Sequence, residues 1–341
     1  MTLRFPAPLR PGDRIGVTAP SSGLPDALRP RLDFAVGRLR AAGFDVVLGR
    51  CLGEGDGVVS APAAERAAEL TAMLTDPAIA AVAPPWGGEL AVELLPLLDW
   101  TALAAADPTW LVGFSDISTL LLPLTLRTGT ATLHAETLLD TPYRVPAPLL
   151  SWLDVAGADG GPLVQGATAR HLRGRAPGWA RRPRRTRRRY RAPGTWRPLR
   201  PGPVHATGRL VGGCLDTVST LAGTAWGDVP AFAAAEAPEG LIVYLEVAEH
   251  GAFDVVRDLW RLRLAGWFDA ATAVLVGRTR APGSPHLTQD DAVARVLGDL
   301  GVPVLLDVDL GHVPPQLALV NGARAELVVD GDERRLTQWL E

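Results

Sequence analysis

Residues 110–128 read WLVGFSDISTLLLPLTLRT. The short apolar run Trp110–Phe114 predicts a buried strand, and Asp116–Thr128 predicts a helix. Ser115 stands at the junction between them. In a parallel α/β sheet such junctions lie at the carboxyl edge, where ligands bind. The helix start just beyond offers unpaired N–H groups and the positive end of the helix dipole, which suits an oxyanion. The turn is like a nucleophile elbow, although Ile117 stands where G-x-S-x-G has its second glycine. A Ser or Asp at a strand-to-helix turn also serves simply as an N-cap, so the motif alone leaves both roles open.

Outward from this stretch the same alternation repeats. Strands are predicted at Arg14–Thr18, Phe44–Leu48 and Ile79–Ala83. Helices are predicted at Asp26–Ala42, with Leu28, Leu32, Val36 and Leu39 on one stripe, at Pro62–Leu74 and at Glu89–Leu98. Strict alternation implies parallel strands with helical crossovers on both faces. From about Pro142 to His205 the pattern fails. Pro, Gly and Arg dominate, no acidic residue occurs between Asp159 and Asp216, and Arg181–Arg191 holds eight arginines. That segment is expected to be a linker or excursion. Order resumes with helices at Leu215–Leu221, Phe253–Ala265 and Gln289–Leu300. Strands follow at Leu241–Leu245, Ala273–Val276, Val302–Leu306, Leu317–Val320 and Ala325–Val329. The expected fold is therefore α/β in two domains, a parallel sheet over 1–141 and a mixed α/β domain over 206–341, with 142–205 between them.

Composition sets limits on function. A chain of 341 residues exceeds one ordinary core, and 47% apolar residues exclude wholesale disorder. A net charge of −3 favours neither a nucleic acid nor a membrane as partner, and every basic residue is Arg. The amino-terminal stretch has no apolar run of signal-peptide type, and none of the chain approaches the roughly 18–20 apolar residues of a membrane span. Two cysteines, Cys51 and Cys214, are too few for a disulfide framework or a four-ligand zinc site. A cytoplasmic protein without metal or cofactor is expected.

A serine nucleophile needs a base held by a carboxylate. Among six histidines, His312 in Asp309-Leu310-Gly311-His312 follows a strand's carboxyl end. Glu246 terminates the Leu241–Leu245 strand and is the carboxylate candidate. His134, ending a short apolar run, is a rival base. Gly87-Gly88 follows the third strand and allows close approach of backbone N–H donors, or merely a tight turn. The arginine run invites a nucleic-acid reading, but it lacks the aromatics of an RNA-binding sheet and the rest of the chain is acidic in balance. A solvated loop and no nucleic-acid partner are therefore expected. Trp179, Tyr190 and Trp196 punctuate the run, and aromatic contacts over a cleft are an alternative.

These segments together resemble the LD-carboxypeptidase family, which includes muramoyltetrapeptide carboxypeptidases and microcin C immunity peptidases. The resemblance rests on Pro11-Gly12-Asp13-Arg14-Ile15 leading into Ala19-Pro20-Ser21, on Gly113–Ser118, and on Gly212-Gly213-Cys214-Leu215 with Leu221-Ala222-Gly223-Thr224. Leu245-Glu246, the run from Arg257 to Phe268, Gly277-Arg278 and Gly311-His312 complete it. It implies a flavodoxin-like first domain, an active site in the cleft between domains, and a Ser-His-Glu triad of Ser115, His312 and Glu246. Backbone amides of Gly87, Gly88 and Asp116 would hold the oxyanion, and Trp86 and Trp196 would contact substrate. The substrate would be a cell-wall tetrapeptide losing D-Ala or a peptidyl-nucleotide antibiotic, and the assembly a homodimer. A non-catalytic descendant that binds through the arginine run is the remaining alternative. Three departures stand out: Glu89-Leu90-Ala91 after the glycine pair, Val247 after the Glu strand, and Cys214 where the family has Asn. The second, with Trp196, leans towards the microcin immunity branch.

Overall fold

The computed structural model describes residues 2–173 and 178–341. Its first sheet is built from strands β1 (Arg14–Val17), β2 (Asp45–Leu48), β3 (Ile79–Val82), β4 (Trp110–Gly113) and β5 (Thr132–His134). They are parallel in the order β2-β1-β3-β4-β5, the flavodoxin order. Helices α1 (Arg29–Ala41), α2 (Ala63–Thr75), α3 (Trp100–Ala105) and α4 (Ser118–Thr128) make the crossovers. Covered on both faces, β4 is wholly buried and correspondingly apolar. Residues Ser118 to Thr125 of α4 are also all buried. Packing of that kind offsets the hydrogen bond that Pro123 removes from the helix interior.

The helix expected over Glu89–Leu98 is not there. One 3-10 turn, Ala91–Leu94, is followed by bends, and α3 starts only after Asp99, whose carboxylate accepts the Ala102 N–H. Pro96 explains the break, since it has no N–H to give to a helical ladder and its ring clashes with the preceding turn. The Ala91 N–H is moreover taken by the Asp116 side chain at 2.8 Å.

After the short α5 (Trp152–Ala156), the segment expected to be a linker or excursion contributes strands. β6 (Leu163–Gly166) and β9 (Arg197–Pro198) form the two edges of the second sheet, and β7 (Arg170–Leu172) pairs with β8 (Tyr190–Pro193). The second sheet continues with β10 (Val204–Cys214), β11 (Leu241–Glu246), β12 (Ala271–Gly277) and β13 (Val304–Val308). Helices α6 (Leu215–Val218), α7 (Val229–Glu236), α8 (Ala252–Leu264) and α9 (Gln289–Leu297) connect them. The chain closes with β14 (Leu319–Asn321), β15 (Arg324–Asp330) and β16 (Glu333–Trp339). The sheet order is β6-β16-β15-β10-β11-β12-β13-β9, parallel from β10 to β13 and antiparallel outside.

Two features lock the halves together. β14 leaves the second half to pair antiparallel with β5, adding a sixth strand to the first sheet. Its buried Asn321 donates to Thr132 Oγ1 at 3.2 Å and accepts from Tyr244 Oη at 2.7 Å and from the Gly212 N–H at 3.2 Å. Gly213 has φ +155°, and a Cβ there would lie 2.8 Å from the Ser118 Cβ. Only glycine lets β10 approach the start of α4 this closely, and the Cys214 N–H then donates to Ser118 Oγ at 3.1 Å. The end of β10 is thereby brought beside the turn that carries Ser115.

Candidate active site

Ser115 has φ +62°, a left-handed conformation that is costly for any residue but glycine. Strain of this kind, on the order of 1–3 kcal/mol, persists where surrounding structure enforces it. Here the enforcing contacts come from Asp116. Its buried carboxylate accepts from Ser21 Oγ at 2.5 Å, from the Ala91 N–H at 2.8 Å and from Thr119 Oγ1 at 3.3 Å. The loops after β1, β3 and β4 are thus tied at one point. Gly87 lies directly against the serine: a Cβ there would stand 3.0 Å from the Ser115 Cβ, 3.1 Å from its Oγ and 3.3 Å from the Asp116 N. Gly88 has φ +153°, and a Cβ would collide with Ser21 and Ser22. The glycine pair is therefore sterically required, and it carries its backbone to the serine.

Glu246 ends β11 completely buried, in register with Cys214 of β10. Gly311 has φ +79°, and a Cβ there would stand 2.3 Å from Glu246 Oε2, so glycine alone lets the following residue fold over the carboxylate. That residue is His312. Its Nδ1 lies 2.8 Å from Glu246 Oε2 and its Nε2 lies 3.1 Å from Ser115 Oγ. An ionised carboxylate only accepts, so Nδ1–H donates to it, and the neutral ring presents a lone pair at Nε2 to the serine hydroxyl. Burial pushes the Glu246 carboxyl up, but the charge and hydrogen bond of His312 more than offset this and hold it below its ordinary value. Burial likewise pulls His312 down, and Glu246 overrides it, so its pKa stands above the usual one. The pair favours an imidazolium beside a carboxylate, the state in which a base has taken the serine proton.

His134 is no rival in this geometry. Its ring is fully buried, packed against Phe114 and Tyr244, with no partner at either nitrogen, and burial pulls its pKa down to about 4. Trp196 is a correction. It is wholly buried and donates from Nε1 to Asp309 Oδ2 at 2.9 Å, beneath the sheet edge rather than in a cleft. Asp309 also accepts from Thr168 and Arg278 there.

Two clefts, with about 740 and 730 Å³ of empty space, meet at Ser115, His312 and Gly88. One is polar, lined by Glu89, Asp216, Thr217, Glu249 and His250. Asp216 accepts the N–H groups of Ala248, Glu249 and His250, which shapes the loop after Glu246, and His250 Nδ1 meets Asp258 at 2.6 Å. The other is lined by Trp86 and Trp179, whose rings meet edge to face at 6.3 Å. Trp86 donates to Ser22 O at 3.0 Å, and Trp179 donates to Asp140 Oδ1 at 3.2 Å.

Asp140 also accounts for part of the arginine run. Arg188, stacked on Tyr143 at 4.1 Å, pairs with it at 2.6 Å, while the buried Arg31 donates to the carbonyls of Pro183 and Arg185. One arginine is a pin, and Arg181, Arg182, Arg184, Arg187, Arg189 and Arg191 are exposed. Asp216 and His250 were invisible in sequence because only the fold brings them to the polar cleft, and Asp140 because only the fold sets it behind Trp179. Among the described residues no helix is long and apolar enough to cross a membrane. Cys214, Glu246 and His312 form a group of three metal-ligand types whose ligand atoms lie within 4.8 Å of one another.

Comparison with known proteins gives this geometry a family. The LD-carboxypeptidase N-terminal domain matches residues 15–135, and the LD-carboxypeptidase C-terminal domain matches residues 207–327. A putative carboxypeptidase of Streptomyces coelicolor is 34% identical over 97% of this chain and 95% of its own. The chain belongs to the LD-carboxypeptidase family. Its relatives in that family include the murein tetrapeptide carboxypeptidase of Pseudomonas aeruginosa, 28% identical over 94% of each chain. They also include the microcin C7 self-immunity protein MccF of Escherichia coli, 25% identical over 97% of this chain and 94% of its own. The structure of MccF in complex with glutamyl sulfamoyl guanosine superposes with a TM-score of 0.80, at 23% identity and 98% coverage of both chains. The protein thus has the two-domain α/β fold of a peptidase family.

Proposed function

We propose that this peptidase cleaves an amide bond by nucleophilic catalysis at Ser115, with His312 as general base and acid and Glu246 as its orienter. One observation carries the reading: the unbroken line from Glu246 Oε2 through His312 to Ser115 Oγ, with spacings of 2.8 and 3.1 Å. As Ser115 attacks the carbonyl carbon, its proton passes to His312 Nε2. The backbone amides of Gly87, Gly88 and Asp116 face the developing oxyanion, and donors so placed are worth about 10² to 10³ in rate. His312 then gives the proton to the leaving amine. Water, activated by the same imidazole, releases the acyl group and restores the serine.

The first substrate reading is a muropeptide tetrapeptide that loses its terminal D-Ala, in keeping with the murein tetrapeptide relative. The second is an aminoacyl or peptidyl nucleotide, in keeping with the ligand bound to MccF. The Trp86–Trp179 wall favours the second, because a nucleobase gains about 1–3 kcal/mol by stacking on such a ring, whereas a tetrapeptide has no aromatic group to place there. The deciding assay sets D-Ala release from a muropeptide beside hydrolysis of an aminoacyl sulfamoyl adenylate, in the wild type and in Ser115→Ala. Turnover of either, lost in the variant, supports the reading and names the substrate. Equal turnover in wild type and variant overturns the role of Ser115.

A further inference from the structure

Cys214 and Glu246 are register partners at the ends of adjacent parallel strands, and His312 closes over both. The Cys214 sulfur, a Glu246 carboxylate oxygen and a His312 ring nitrogen lie within 4.8 Å of one another. Glu246 Oε1 is fully buried with no nitrogen or hydroxyl donor on it, and the Cys214 thiol is the group that faces the carboxylate from the neighbouring strand. Cys214 and His312 both line the polar cleft, so the group is reached from solvent through the substrate's own entrance. We propose that Cys214, Glu246 and His312 capture a thiophilic divalent cation, Zn²⁺ being the type, and that its binding switches off the base of Ser115. The inhibitory consequence rests on the proposed role of His312; the binding site does not.

The donor set is that of zinc: thiolate, imidazole and carboxylate, with metal distances of about 2.3, 2.0 and 2.1 Å and a water from the cleft in the fourth position. Zinc binding releases the Cys214 thiol proton to solvent and forms a Zn–S bond. Thiolate and carboxylate together neutralise the two positive charges, so no net charge is left in the buried site. Burial pushes the Cys214 thiol well up, which keeps it protonated until a metal ion is present.

The imidazole meets the metal through Nδ1, the nitrogen that faces Glu246. That requires a lone pair at Nδ1, so the ring proton moves to Nε2. Nε2–H then points at Ser115 Oγ and donates to it. A ring in this tautomer cannot take the serine proton, and Glu246 is engaged by the metal instead of by the ring. Inhibition therefore follows from the tautomer and needs no displacement of substrate.

The test uses the full chain, stripped of metal, with Co²⁺ as spectroscopic probe and Zn²⁺ as inhibitor. The proposal predicts a thiolate-to-cobalt charge-transfer band saturating at one equivalent, absent in both Cys214→Ser and Cys214→Asn and retained in Cys51→Ser. It also predicts that Zn²⁺ abolishes turnover reversibly with a chelator, and that either Cys214 variant, compared with its own metal-free rate, is about tenfold or more less sensitive. No band, or a band that survives in a folded Cys214 variant, overturns the site. Equal zinc sensitivity in wild type and variants overturns the switch. The cobalt band needs no substrate, so a band in a protein without hydrolytic activity faults the hydrolase reading and leaves the site standing.

Discussion

His312 Nε2 lies 3.1 Å from Ser115 Oγ although 197 residues separate them in the chain. The contact exists because each residue lies just beyond the carboxyl end of a strand of a different sheet, and because Gly213 lets the second sheet press against the helix that follows Ser115. Neither half of the molecule holds the pair alone.

The carboxylate behind His312 sets the pH response. On the proposed mechanism activity requires the neutral imidazole, and Glu246 raises the His312 pKa above 6.5, so turnover is expected to fall as pH drops through that raised value. Glu246→Gln removes the charge that raises it. The acid limb of the pH–rate profile then moves to lower pH, while the maximal rate falls by about 10² to 10⁴ through loss of tautomer and orientation. A pH–rate series on wild type and variant checks both effects, and an unmoved acid limb would exclude Glu246 as the orienter.

Gly87→Ala places a methyl group 3.1 Å from Ser115 Oγ and 3.3 Å from the Asp116 nitrogen. The expected result is a rate lower by about 10² to 10³, with some loss of thermal stability because the methyl group presses on Ser115 and the Asp116 backbone, but with a cooperative melt retained. Steady-state kinetics alongside a thermal melt separates this from unfolding.

The lobe with β1 to β4 was legible because apolar strands alternate with helical stretches, although its third helix lies at Trp100–Ala105 rather than over Glu89–Leu98. Ser115, Glu246 and His312 were legible as strand-end residues and through the family segments around them. β10 was assigned no element because Gly208, Gly212 and Gly213 interrupt its apolar pattern, whereas Gly212 and Gly213 admit a close neighbour that only the fold supplies. β16 escaped because Glu333, Arg334 and Arg335 hide its alternation, and its pairing with β15 and β6 is what buries Leu336 to Gln338. Trp196, placed by sequence at the substrate, is spent on Asp309, while Trp179 faces the cleft because Asp140 holds it.

Trp179→Ala is expected to raise KM for an aminoacyl sulfamoyl adenylate by about tenfold with a smaller change in kcat, since stacking acts on ground and transition states alike. Asp140→Asn, which weakens the pin through Arg188, moves KM in the same direction by less. Release of D-Ala from a muropeptide responds to neither. Paired kinetics on the two substrates reads this out, and equal losses on both would place Trp179 in general stability.

Glu136 offers a stability test apart from the reaction. Burial raises its carboxyl to about 7, and its Oε2 has no partner. A carboxyl of about 4.3 when unfolded and about 7 when folded costs nothing below the lower value. It destabilises increasingly as pH rises towards the upper one, and fully above it. Glu136→Gln is therefore expected to melt at higher temperature than the wild type at about pH 8, and the two curves should converge near pH 4. Parallel melts across that range check the sign.

The central claim, that Ser115 is a nucleophile activated by His312, is tested most directly by an activated phosphonate probe read by intact mass and peptide mapping. One adduct per chain on Ser115 is predicted, absent in Ser115→Ala and formed far more slowly in His312→Ala. An unlabelled wild type, or an adduct that persists in Ser115→Ala, would contradict it.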